Sequence, residues 1–419
     1  MLSHSNPVDT ADSGYAWLRL LVSLTLMTIG GSGMYAITVV LPRIQADFGV
    51  GRSGASVPYA LTLIGFGLGG VLMGRLADRF GVLVPVVLGA CGLGAGFLMA
   101  GSAQNLWQFN LAQGLLIGFL GSSATFAPLV ADTSQWFQRR RGIALAICMS
   151  GNYVAGAVWP PIVQGLLEAY GWRTTYIGIG AFCIVSVLLL APVLRRRAPA
   201  REVSAPANNG PNSVRAGSGE RPLGLHPALL TGLLSVAGLS CCVAMAMPQV
   251  HIVAYCGDLG IGAARGAEML AVMLGAGIIS RLVSGWISDH LGGLRTLLLG
   301  SVLQCLALAA FLPFDTLVPL FLISAMFGLF QGGIVPSYAL IVREYFSPKD
   351  AGARVGTVLM ATLFGMALGG WMSGAIFDLT GSYRAAFFNG IAFNLLNIGV
   401  VLYLLRRRSA LLRVARLNP

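Results

Sequence analysis

Charge is what this sequence has least of. Only 10% of its residues are Asp, Glu, Lys or Arg, where a soluble domain carries about 25%. So few charges cannot cover a water-facing surface. Acidic residues are the scarcer sign, 15 against 27 Lys and Arg, for a net charge of +12. The excess lies in short clusters between apolar runs. Membrane topology requires that distribution, and it argues against a nucleic-acid partner. The seven cysteines contain no Cys-x-x-Cys and no metal-ligand spacing, and most sit inside apolar runs. They read as small buried apolar residues, so no disulfide framework, metal or cofactor is expected. No nucleophile–base cluster or phosphate loop stands out, which leaves an enzyme the least favoured class. Residues 1–16 lack a basic stretch and a small-residue cleavage site. The first apolar run therefore reads as a retained helix and not a signal peptide.

What the chain has instead is apolar length. Hydrophobic residues make up 56% of it, and the mean hydropathy is +0.77. Apolar segments recur at 17–42, 54–74, 82–101, 106–130, 142–166, 173–194, 227–254, 266–288, 295–313, 316–341, 354–377 and 384–405. Each approaches or exceeds the roughly 20 residues a helix needs to cross a bilayer. Inside lipid every backbone polar group must be paired within the segment, so these are expected to be helices despite their Val, Ile and Gly. The run Gly65-Phe66-Gly67-Leu68-Gly69-Gly70 is expected to serve close helix packing. Trp159-Pro160-Pro161 predicts a kink.

Arg and Lys set the expected orientation. With the N-terminus in the cytoplasm, the inner segments hold Arg75, Arg79, Arg139 to Arg141, Arg195 to Arg197, Arg201, Arg215, Arg221, Arg295, Arg343, Lys349 and Arg354, besides the basic tail. The outer ones keep Arg43, Arg52, Arg173, Arg265 and Arg384. That imbalance predicts a multi-pass protein of the inner or plasma membrane with both termini cytoplasmic. Residues 195–226, rich in Arg, Pro, Ala, Asn, Ser and Gly, read as a flexible cytoplasmic linker. It divides the chain into halves at 1–194 and 227–419.

The halves repeat. Gly74-Arg75-Leu76-Ala77-Asp78-Arg79-Phe80-Gly81 returns as Gly285-Trp286-Ile287-Ser288-Asp289-His290-Leu291-Gly292. Trp136-Phe137 returns as Tyr345-Phe346, and Gly171-Trp172-Arg173 as Gly381-Ser382-Tyr383-Arg384. All three lie at one offset of about 210 residues, the mark of a duplicated six-helix unit. The Gly-x-x-x-Asp-Arg/His-x-Gly loop, present in both places, resembles the cytoplasmic motif of the major facilitator superfamily. A narrower resemblance is to the monocarboxylate porter and oxalate–formate antiporter group. It rests on Trp136-Phe137-Gln138-Arg139-Arg140-Arg141-Gly142-Ile143-Ala144, Ser150-Gly151, Gly171-Trp172-Arg173 with Tyr176, and Ser280-Arg281-Leu282. The resemblance implies an all-α membrane protein of the major facilitator fold, twelve transmembrane helices in two six-helix halves.

Arg281 is the most informative residue. It stands eight residues ahead of Asp289, which at 1.5 Å per residue is roughly 12 Å into a core about 30 Å thick. An Arg at such depth costs about 2.5–3.5 kcal/mol on insertion scales. None of the 15 acidic residues falls in the central part of an expected helix to offset that. A substrate carboxylate would supply the partner; backbone carbonyls and cavity water are the alternative. In the resembling family the helix 8 arginine is the carboxylate ligand. The oxalate–formate type adds a lysine in helix 11, yet residues 355–377 hold no Lys or Arg here. One cation suits one carboxylate. His251 could couple protons, or act as an outer-gate hydrogen-bonding group that keeps its charge. Tyr35, Asn110, Gln113, Asn152, Tyr153, Gln249, Gln331 and Tyr338 also fall at membrane depth, as cavity lining or as helix glue, and all of these but Gln249 are, with His251, candidates for substrate binding beside Arg281. Asp78, Arg79, Asp289 and Arg295 are expected to gate the halves. The expected function is secondary transport of small organic anions, foremost monocarboxylates, by alternating access with proton symport or anion exchange. Efflux of amphipathic compounds and a membrane sensor without flux are the alternatives.

Overall fold

The computed structural model describes residues 12–196 and 222–417. Most of the expected linker, with Arg197, Arg201, Arg215 and Arg221, lies outside the described residues. All regular structure among the described residues is helical. In the first half α1 spans Gly14–Gly30, α2 Ser32–Phe48, α3 Arg52–Phe80, α4 Leu83–Gly101, α5 Leu106–Leu111, α6 Ala127–Trp136 and α7 Arg141–Leu190. In the second, α8 spans Pro227–Asp258, α9 Ala263–Leu291, α10 Gly293–Ala310, α11 Leu317–Gln331, α12 Ile334–Tyr345, α13 Pro348–Thr380 and α14 Tyr383–Leu417. Eleven helical stretches among the described residues are long and apolar enough to cross a bilayer. One of them, Arg141–Leu194, has 54 residues, far more than the roughly 20 a single crossing needs. It leaves helical geometry only at Gly171, with φ 75° and ψ 162°. That position favours a residue without Cβ. The two limbs of α7 are therefore two passes, which brings the total among the described residues to twelve. The loop expected between 166 and 173 is this single-residue turn. The backbone stays helical through Pro160 and Pro161, so the break lies a dozen residues beyond the expected one.

The glycines explain how the passes come so close. A Cβ at Gly65 would stand 2.2 Å from the Gly114 carbonyl oxygen, and one at Gly69 2.1 Å from that of Phe119. Both face residues Ala112–Ser122, a π-helical stretch joining α5 to the rest of the fourth pass. Gly67 faces another way, toward Met360 and Leu363 of the second half, and Gly70 meets nothing within 4 Å. Packing thus accounts for three of the four. The first pass is jointed at Gly31, where Ser122 Oγ donates to the Gly30 carbonyl at 2.8 Å.

The ends of the described chain and the junction between 196 and 222 share one face of the bundle, termed here the terminal face. The turns at 49–51, 102–105, 171, 259–262, 311–316 and 381–382 share the opposite face. The halves meet through α3 against α13 and α7 against α9, with α2 touching α8.

Candidate functional site

On the α7–α9 contact, ten residues before the terminal-face end of α9, Arg281 crosses from the second half to the first. Its Nη1 donates to the Met149 carbonyl at 3.0 Å. The guanidinium carbon lies 4.6 Å over the centre of the Tyr153 ring, a cation–π distance. Its Nε is buried and has no hydrogen-bond partner, and no acidic side chain pairs with it among the described residues. Glycines make room for this arrangement. A Cβ at Gly277, one turn before Arg281, would reach 2.3 Å from the Tyr153 ring. A Cβ at Gly156 would meet both Leu274 and the ring of Tyr35 at 2.2 and 2.8 Å. Tyr35, Tyr153 and Arg281 are so gathered around one crossing of α2, α7 and α9. Asn152, partly buried, points its Oδ1 toward Gly31 at the joint of the first pass.

Other polar residues at membrane depth are committed elsewhere. Gln113 donates to the Tyr176 hydroxyl at 3.0 Å and accepts from Thr62 at 3.2 Å. Tyr338 donates to Asn397 at 2.8 Å. Both are fully buried and join helices within one half. Trp159 donates its indole N–H to the Thr28 carbonyl at 2.8 Å, so it ties the first pass to the fifth. Gln331 accepts from Gln249 at 3.0 Å while its own Nε2 stays buried without a partner. Asn110 likewise leaves a buried Oδ1 unpaired. The last two keep free polar atoms inside the bundle.

On the opposite face the halves are locked by Arg52, the first residue of α3. Its Nη2 reaches Asp258 at the end of α8 at 2.6 Å, Nη1 the Tyr383 hydroxyl at 2.5 Å, and Nε Gln45 at 2.8 Å. The Arg52 amide donates to Asp378 near the end of α13 at 2.7 Å, and Ser53 gives the same carboxylate its amide and hydroxyl at 2.9 and 2.6 Å. The guanidinium also lies 4.4 Å over the Phe377 ring. His251 extends the network inward: Nδ1 is 3.0 Å from the Tyr383 hydroxyl and Nε2 2.8 Å from the Gly370 carbonyl.

The chain matches the model of the Major Facilitator Superfamily over residues 21–326 and 269–417. It belongs to that superfamily. Within it, the chain is 28% identical to Monocarboxylate transporter 13 of Rattus norvegicus over 94% of this chain and 90% of the relative. It is 26% identical to the MFS-type transporter opdF of Penicillium oxalicum over 94% and 91%. It is 24% identical to Monocarboxylate transporter 12-B of Danio rerio over 90% and 84%. Among solved structures it superposes on a bacterial homolog of the human lysosomal transporter Spinster with a TM-score of 0.67. That match has 16% identity and covers 95% of this chain and 96% of the other. The relatives are transporters, and so is this facilitator.

The gating residues expected from the facilitator motif are not brought together here. Asp78, Arg79, Asp289 and Arg295 enter no ion pair among the described residues. The terminal face carries instead a pair within the first half. Arg19 grips Asp132 through two hydrogen bonds of 2.7 and 2.8 Å, both side chains buried. Asp132 lies two residues past the expected end of its helix, outside the central helix positions where an acid reads as buried. The Arg52 network was also unmarked in the sequence. Its one signal is an arginine at a helix end on the opposite face of one half, with Asp258 and Asp378 at helix ends on that same face of the other half.

Proposed function

We propose that this facilitator carries small monocarboxylates by alternating access, through proton symport or anion exchange, with both termini in the cytoplasm. Arg281 carries the reading: a cation held between the halves within a membrane-spanning helix, with a free Nε and no acidic partner among the described residues. A monocarboxylate would neutralise it, and a planar guanidinium can bind a carboxylate through two parallel hydrogen bonds. A dianion would leave a charge unpaired in low dielectric, a penalty of several kcal/mol. Tyr153 and Tyr35 would form the aromatic walls, and Asn152 and Gln331 would add polar groups to the cavity. The rat and zebrafish relatives bear monocarboxylate transporter names, which supports the same substrate class. With the termini inside, the Arg52 network closes the outer side.

The test is a thermal-shift competition at fixed pH, since a ligand of the folded state raises apparent stability. Lactate- or pyruvate-sized acids should protect better than oxalate or malonate. Arg281→Ala should lose the protection, and Arg281→Lys should weaken it, because an ammonium cannot form the two-bond fork. Wild-type protection in Arg281→Ala would make the arginine structural. Saturable uptake into proteoliposomes distinguishes a carrier from a sensor. For orientation, an impermeant thiol reagent on intact cells should leave a cysteine placed at Ser213 unlabelled.

A further inference from the structure

The hydrogen bonds at His251 determine which form of the imidazole this closed state accepts. A carbonyl oxygen can only accept, so the Nε2 facing Gly370 must carry a hydrogen. The Tyr383 hydroxyl already accepts from Arg52 Nη1, whose hydrogens cannot be given up. Its own hydrogen therefore goes to His251 Nδ1, which must be bare. The slot is satisfied by neutral imidazole in one tautomer. A second proton on Nδ1 would turn that nitrogen into a donor toward a hydroxyl already accepting from Arg52. The tyrosine hydrogen would then have no acceptor, because Arg52 and His251 are the hydroxyl's two hydrogen-bond partners among the described residues.

The charged and titratable groups around the imidazole come from four elements. Arg52 and Tyr59 come from α3, Asp378 from α13, Tyr383 from α14, and Tyr255 and Asp258 from α8 itself. Asp258 and Asp378 are exposed and have their oxygens on Arg52 and Ser53, whereas His251 is 0% exposed. Neither carboxylate hydrogen-bonds a ring nitrogen.

We propose that His251 is a proton-sensitive pin of the outer gate, that Tyr383 and Arg52 are the positioning residues it acts through, and that it is not the carrier of a coupled proton. A proton can reach Nδ1 while the outer side is open. It must leave to that same side before Tyr383 can hand its hydrogen to His251 and Arg52 can draw Asp258 and Asp378 together. Acid on the outside then holds the gate open and slows the return of the carrier. This rests on the carrier reading only in naming which side is outer.

The experiment measures the gate without substrate, so its failure and a failure of carboxylate binding are separate results. Spin labels are placed at Gln104→Cys and Thr316→Cys, both exposed on the opposite face in different halves. The background carries Cys91→Ser and Cys305→Ser, the native cysteines that are not buried. The full chain is reconstituted in nanodiscs, and label distances are recorded from pH 7.5 to 5.5, where carboxylates stay ionised. A solvated imidazole titrates near pH ~6.5. A closed state that admits only neutral His251 is favoured above that pH and loses population below it. The ratio of short to long distances should fall about tenfold across the range. In His251→Gln, whose amide can still donate to Gly370, the ratio should be flat; His251→Asn is a second non-titrating variant. A pH-independent ratio in the parent protein, or the parent's response persisting in either variant, overturns the proposal.

Discussion

At the scale of single residues, the geometry around Arg281 depends on what two glycines leave out. Tyr153 can lie under the guanidinium because Gly277 has no side chain, and the cation–π contact is worth about 0.5–2 kcal/mol depending on desolvation. Gly277→Ala would put a methyl 2.3 Å from that ring. The ring must move, and we expect carboxylate protection in the thermal-shift assay to weaken several-fold while the protein still folds. Gly285→Ala, two turns further along α9 where nothing lies within 4 Å, should leave protection unchanged. Equal effects would detach Tyr153 from binding. The Arg19–Asp132 pair is a residue-scale matter of another kind. Removing one member of a buried ion pair strands the other charge, at a cost of roughly 3–5 kcal/mol, whereas replacing both by apolar groups can be neutral. Arg19→Met alone should therefore lower the melting temperature markedly. The double variant Arg19→Met with Asp132→Leu should recover most of it.

Elements add a different constraint, because in lipid the helices are held by close packing and not by exclusion of water. Gly69→Ala would drive a Cβ into the Phe119 carbonyl, which belongs to the π-helical stretch and cannot swing aside. Gly70→Ala meets open space and should gain up to about 0.5–1 kcal/mol from helix propensity. Opposite shifts in melting temperature from neighbouring positions check this. The first helix is tied down by Asp12, which accepts from the Gln138 and Arg139 amides at 3.3 and 3.0 Å. The Arg139 amide bond chiefly holds its carboxyl below the usual range. A depressed carboxyl stabilises the fold above its unfolded value, and the gain is lost as pH falls through the folded one. Asp12→Asn, which tolerates the local φ of 55°, should speed hydrogen exchange at those amides near neutral pH.

The spans were legible in the sequence because lipid demands unbroken apolar length, and Arg281 was legible because a charge at that depth is costly. The Gly171 turn was not, since one glycine reverses the chain without a polar loop to announce it. Nor was the Arg52 network: charges at helix ends are ordinary, and only folding shows that Asp258 and Asp378 close on one arginine.

For the whole molecule, the two faces are unequal. Side-chain hydrogen bonds that join the halves among the described residues gather at Arg52 and Ser53 on the opposite face, with one more at Arg281. Asp78, Arg79, Asp289 and Arg295 on the terminal face are left without ion pairs. A carrier that alternates needs a latch for each state, and a group that stabilises one state must be released in the other. If the duplicated motif latches the state not described here, neutralising it costs this state nothing and weakens its rival. Asp289→Asn should then shift the population toward the terminal-open form, and Arg52→Ala should shift it the other way. Asn152→Cys beside the joint of the first pass reports the balance through its rate of labelling by an impermeant maleimide. In vesicles exposing the terminal face, Asp289→Asn should speed labelling and Arg52→Ala should slow it; vesicles of reversed orientation should give the reverse order. Unchanged rates in Asp289→Asn would make the motif a solvated turn and leave Arg52 with a latch of its own but no counterpart.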